Sequence, residues 1–160
     1  MALKGKLLTL VSLVVAVIVA LATIQSTQAS IDYWFEKPST MANGLNHVIV
    51  YCKNGGGMDG DFYLTVTFSN SSFSSRTDMP YTRVDDSTVR LKFILHKGDS
   101  GQRSVYFFTE ETAEFSLRLT LQRSDFLQYL FLKANSLFPT ELKYQWNSGN
   151  GTFDFVNSPQ

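Results

Sequence analysis

Leu7–Ile24 (LLTLVSLVVAVIVALATI) is a run of eighteen residues without a charge. As an α-helix rising about 1.5 Å per residue it would cover roughly 27 Å, close to a bilayer's hydrocarbon core. A helix on a soluble protein keeps one strongly polar face, and this run has no charge on any side. Lys4 and Lys6 precede it without an acid, and Gln25, Ser26, Thr27 and Gln28 come after it. The chain is therefore expected to go to a membrane. By the positive-inside rule residues 1–6 stay cytoplasmic and everything from Ser30 lies outside.

Two fates compete for this segment. Thr27-Gln28-Ala29 has the small-x-small form of a cleavage signal, and cutting after Ala29 would give a secreted protein. Eighteen apolar residues, however, exceed the usual signal core of about 7–15, so a single-pass anchor over residues 7–24 is the preferred expectation. Thr9, Ser12, Ala16, Ala20 and Thr23 recur three or four apart. They are candidate helix-contact residues, because small side chains let helices approach closely in lipid.

Beyond the anchor about 130 residues remain, enough for one domain with a core. Residues 25–45 are read as a linker with a possible first strand over Ile31–Glu36, and residues 46–160 as the outer domain. Without Lys4 and Lys6 the chain holds 12 basic against 14 acidic residues, which argues against nucleic acid, a partner that needs a basic face. The thirteen Phe, seven Tyr and two Trp favour strands. A single cysteine, Cys52, permits no intrachain disulfide and is expected as a buried thiol.

Period-two alternation dominates the outer domain. Phe62, Leu64, Val66 and Phe68 share one face; Val89, Leu91, Phe93 and Leu95 do the same, as do Phe115, Leu117, Leu119 and Leu121. Weaker strands are expected over His47–Lys53, Arg103–Phe108, Leu142–Trp146 and Thr152–Val156. Gly55-Gly56-Gly57, Lys97–Gly101 and Asn147–Gly151 read as turns, and Asn70 to Asp86 as one long connection. Seven or eight such strands predict an immunoglobulin-like antiparallel β-sandwich. Phe126, Leu127, Leu130, Phe131 and Ala134 follow helical spacing instead, with Asp125 and Gln128 as capping partners and Pro139 as a stop. A short helix near 125–137 is expected, with a strand over Tyr129–Lys133 as its rival.

The residues offer little chemistry. His47 and His96 are the only histidines, and His47 and Cys52 fall on opposite faces of one strand. Asp59-Gly60-Asp61 and Asp85-Asp86 read as turns before they read as calcium ligands. No catalytic residue, metal site or cofactor is expected. Asn70-Ser71-Ser72 and Asn150-Gly151-Thr152 make Asn70 and Asn150 candidate glycosylation sites.

Two resemblances add to this. Val48-Ile-Val-Tyr-Cys-Lys-Asn54-Gly55-Gly56, then Gly60-Asp61-Phe62-Tyr63-Leu-Thr-Val-Thr-Phe68, resembles the opening of CARDB-type immunoglobulin-like domains of prokaryotic surface proteins. Val89–Phe93 and Phe115–Leu121 resemble their later strands, so the likeness covers about residues 46–122, and residues 126–139 have no counterpart. It implies adhesion, scaffolding or spacing without catalysis. The order of apolar helix then sandwich is also similar to archaeal pilins, whose leader is cut after a charged residue and a glycine; Lys4-Gly5 fits, and Lys6 departs from the usual apolar residue. The expected role is thus a membrane-anchored, non-catalytic binding, scaffold or accessory module of the cell surface, touching lipid through residues 7–24 and a protein partner outside. A filament subunit and an accessory subunit of a membrane complex are the alternatives.

Overall fold

A computed structural model of the chain describes residues 2–109, 112–125, 128–137 and 139–156. The chain opens with α1 (Ala2–Ser26) and then builds strands: β1 (Ala29–Phe35), β2 (Thr40–Met41), β3 (Gly44–Asn54), β4 (Gly60–Ser69) and β5 (Ser71–Phe73). After these come β6 (Tyr81–Asp85), β7 (Thr88–Leu95), β8 (Ser100–Thr109) and β9 (Glu114–Arg123). One turn of helix, α2 (Gln128–Phe131), leads into β10 (Leu132–Ser136), β11 (Glu141–Asn147) and β12 (Thr152–Phe155).

The strands form a five-stranded sheet, β10-β1-β3-β8-β5, and a seven-stranded sheet, β2-β12-β11-β9-β4-β7-β6. These two layers are the β-sandwich expected from the alternation, with the β1–β10 pair parallel where an antiparallel sheet was expected. In the larger sheet β4 pairs with both β7 and β9, bringing Leu64 against Leu91 and Leu121, and Val66 against Val89 and Leu119. All of these side chains except Leu121 are buried. Val48, Val50, Val105 and Phe107 face them from the smaller sheet and are also buried. Aromatic rings bridge the layers: Phe107 lies 5.7 Å from Phe68 and 5.7 Å from Phe115. Phe115 in turn stacks on Tyr144 at 5.0 Å.

Several elements differ from expectation. The long Asn70–Asp86 connection contains β5 and β6. At Asn70 the backbone takes a φ of 56°, a left-handed turn that asparagine tolerates, and the chain passes from the larger sheet to the smaller one. The strand alternative for Ile31–Glu36 is the one observed. β1 lies between β10 and β3, and Ile31 and Phe35 are buried, so the sandwich includes residues ahead of the expected boundary at 46.

The helix near 125–137 shrinks to Gln128–Phe131, and Leu132–Ser136 becomes a strand parallel to β1. Phe126 and Leu127 lie outside the described residues. Leu132 is buried and Ala134 packs against the core, so spacing that fits a helix serves a strand once β1 offers a partner.

Leu10, Leu13, Ile18 and Leu21 on α1 are each more than half exposed. The side chains described on this helix run from Thr9 to Thr23, within the longer Leu7–Ile24 run. Among the described residues no helix is long and apolar enough to cross a membrane.

The packing gives a direct test. Leu119 is 2% exposed, whereas Thr120 beside it faces solvent. Leu119→Ala is expected to lower unfolding free energy by about 2–5 kcal/mol and Thr120→Ala by less than about 0.5 kcal/mol, read from urea denaturation. Equal losses would contradict the register.

Candidate functional site

The two outer faces of the sandwich differ in chemistry. The larger sheet shows solvent Thr67, Arg90, Lys92, Arg118, Thr120 and Lys143, with Tyr63 and the 63% exposed Ile94 among them, a mostly polar exterior. Lys92 pairs with Asp61 at 3.4 Å, and Lys143 with Glu141 at 3.7 Å.

The smaller sheet turns rings outward. In β3, Val48, Val50 and Cys52 point into the core, so Leu45, His47, Ile49 and Tyr51 stand on the outer side. The pairing of β3 with β1 sets Trp34 beside Tyr51, and its pairing with β8 sets Tyr106 beside His47 and Phe108 beside Leu45. Trp34 stacks on Tyr51 with centroids 5.6 Å apart and planes 13° off parallel. His47 stacks on Tyr106 at 5.2 Å and 26°. Phe108 is 44% exposed. A shallow cleft of about 360 Å³, lined in part by Glu36, Pro38, Leu45 and His47, borders the stripe. Charges stay at the margin: Asp32 is held by the Asn135 amide at 2.9 Å, and Lys53 stands near the end of β3. Sequence reasoning missed this face. The signal was present, since His47–Cys52 and Arg103–Phe108 carry ring or aliphatic residues at both parities, the mark of a strand covered on two sides.

The residues singled out in the sequence are scattered. Cys52 points inward, and burial pushes its thiol up to about 12. His47 belongs to the stripe on the opposite side of β3, so the two are not a pair. Asp59 accepts from the Lys97 amide at 3.1 Å and contacts His96 at 2.8 Å. Asp85 accepts from the Ser87 amide, and Asp86 pairs with Arg83. Among the described residues no three His, Cys, Asp or Glu side chains gather as a metal site.

Asn70 is exposed where β4 ends, its amide donating to the Glu114 carbonyl at 3.1 Å. Asn150 is exposed at the β11–β12 tip, its amide 3.4 Å from Asp154. Strand direction puts both at one end of the sandwich; the α1–β1 junction, the glycine loop and the His96 turn lie at the other. Thr9, Ser12, Ala16, Ala20 and Thr23 are exposed and share one side of α1.

Comparison with known proteins gives fold-level likeness only. No family model matches the chain, and no curated protein matches it. Among solved structures it is similar to the seventh ScaB type I cohesin from Pseudobacteroides cellulosolvens, at 8% identity and a TM-score of 0.47, covering 67% of this chain and 87% of that one. It is similar to the sixth scaffoldin B cohesin from Acetivibrio cellulolyticus, solved with a Cel5 dockerin, at 15% identity and 0.43, covering 69% and 93%. The Reelin-N domain of F-spondin aligns at 9% and 0.36, covering 78% and 95%.

The exposed Asp59–His96 pair yields a pH prediction. The hydrogen bond from Asp59 raises His96 above its ordinary 6.5, and the same bond lowers Asp59 below 3.8. A raised histidine adds stability that is fully present below 6.5 and lost as pH rises through the folded value. The lowered aspartate adds stability present above 3.8 and lost as pH falls through its own folded value. In an NMR titration Asp59→Asn should bring His96 down toward 6.5; an unmoved His96 would contradict the pairing.

Proposed function

We propose that this chain is a membrane-tethered, extracytoplasmic β-sandwich that works without catalysis, docking a protein partner on the outer face of its five-stranded sheet. The observation that carries this reading is the stripe Trp34–Tyr51–Ile49–His47–Tyr106–Phe108. A solvated sheet face alternates polar side chains outward, as most outward positions of the larger sheet do here, Tyr63 and Ile94 apart. The centre of a protein interface is instead rich in Tyr, Trp and Phe and poor in Lys, Glu and Asp, which is the composition of this stripe. Rings stacked on neighbouring strands also lose little freedom when a partner covers them.

Tethering rests on α1, whose apolar residues are exposed all round. Contacts just beyond the helix favour retention of the segment. Ala29 is 1% exposed and pairs with Leu132, and the Gln28 carbonyl accepts from the Gly57 amide at 2.9 Å. A cut after Ala29 would remove both contacts. A filament subunit is the second reading, since a bundle of such helices would cover the same apolar surface as lipid does.

Photo-crosslinkers placed in the native membrane at Ile49, Tyr106 and Thr120 test the docking face. One discrete adduct shared by Ile49 and Tyr106, absent at Thr120 and lost with Tyr51→Lys, is the expected result. Adducts of equal yield from both faces, or none from the stripe, would reject it. Tethering is tested by carbonate extraction. The intact chain should stay with the membrane, and Val15→Arg, at a cost of about 2.5–3.5 kcal/mol on insertion scales, should release it.

A further inference from the structure

Only Thr27 and Gln28 separate α1 from β1. The three Cα steps from Ser26 to Ala29 reach at most about 11 Å, so the end of the sandwich stays near the foot of the helix. The junction is also fastened. Gly57 donates to the Gln28 carbonyl at 2.9 Å and Gly55 to the Ser30 carbonyl at 2.9 Å. The Gln28 amide donates to the Leu130 carbonyl at 2.8 Å. Gly56 lies so close that a Cβ there would meet the Gln28 oxygen and Ser30 nitrogen at 2.3 Å, which leaves no room for any side chain.

Around this junction stand three exposed apolar residues: Met58 from the β3–β4 loop, and Leu130 and Phe131 from α2, at 38%, 54% and 38% exposure. Met58 and Phe131 line one cleft of about 210 Å³ with Ala29, the first residue of β1.

We propose that Met58, Leu130 and Phe131 seat in the lipid interface at the foot of α1, so that the sandwich stands directly on the bilayer. This rests on the reading that α1 lies in the membrane. The occupant is set by length. A bilayer's polar interface is about 5–8 Å deep on each side of the hydrocarbon core. A rim joined to a membrane helix by so short a connection stands beside that layer, close enough for the side chains of Met58, Leu130 and Phe131 to enter it. Asp59, Asp99 and Asp125 share this end with His96 and Lys97, so apolar burial rather than charge supplies the attraction.

The test uses the full chain in phosphatidylcholine vesicles, with spin labels introduced one at a time through Val15→Cys, Met58→Cys, Phe131→Cys and Thr120→Cys. Native Cys52 is buried and takes no label in the folded protein. Collisions with lipid-soluble oxygen and a water-soluble nickel complex report depth. Lipid-type accessibility is expected at positions 15, 58 and 131, and water-type accessibility at 120. Leu130→Ser with Phe131→Ser should shift the label at 58 toward water while leaving that at 15 unchanged. If 58 and 131 match 120 while 15 stays in lipid, the seating is overturned and the anchor stands. If 15 is also in water, anchoring fails and the seating fails with it.

Discussion

Asn54 is the residue on which one end of this molecule depends. It is fully buried at the end of β3 and uses both sides of its amide. The nitrogen donates to the Met58 carbonyl at 2.8 Å and the Leu95 carbonyl at 3.3 Å. The oxygen accepts from the Gly56 amide at 3.0 Å and the Ser30 amide at 3.3 Å. Its backbone pairs with Asp99 and Gly98. One side chain thus joins the start of β1, the glycine loop and the β7–β8 turn. An asparagine amide has two donors and one carbonyl oxygen, and here all of them are engaged. A buried amide left without these partners would cost about 1–3 kcal/mol for each lost group, which makes the cluster cooperative. The contact between Gly56 and Gln28, and hence the tight helix junction, stands on that cluster.

The contrast between the two outer faces arises from the same strand physics. Inward positions are apolar in both sheets because each must cover the shared core. Outward positions carry no such demand. The larger sheet fills most of them with Thr, Lys and Arg, whose exposed ion pairs add little to stability, and leaves Tyr63 and Ile94 as single apolar positions. In the smaller sheet Trp34, Ile49, Tyr51 and Tyr106 hold apolar surface at the boundary with water, a state that favours covering. Nothing in the folding of the core requires rings at those sites, and the proposed docking role rests on that.

The sequence made the central strands legible and the margins much less so. β4, β7 and β9 alternate cleanly because each has one core face and one wet face. β2, β5 and β6 are short and lie at sheet edges or next to them; two to five residues do not show a period. Leu130, Phe131 and Ala134 fitted a helix by spacing, but the open edge of β1 recruited Leu132–Ser136 as a parallel strand, a long-range effect that local spacing does not carry. The outer stripe was hidden for a different reason. In His47–Cys52 every second residue serves the core, so the remaining apolar residues passed as part of one hydrophobic run.

The direction of the strands connects the helix junction to the proposed docking face. β3 runs from Gly44 at the end near Asn70 and Asn150 to Asn54 beside the foot of α1. At about 3.3 Å per residue, Tyr51 stands roughly 10 Å and Leu45 roughly 30 Å along the strand from Asn54. The stripe therefore lies along the flank of the sandwich and not at either end. With the Met58–Phe131 rim seated on lipid, that flank faces sideways along the membrane, and the glycosylation candidates occupy the far end. A glycan at Asn70 or Asn150 would then stand clear of most of the stripe. The partner that such a geometry fits is a neighbour in the same membrane, approaching from the side at a height of about 10–30 Å.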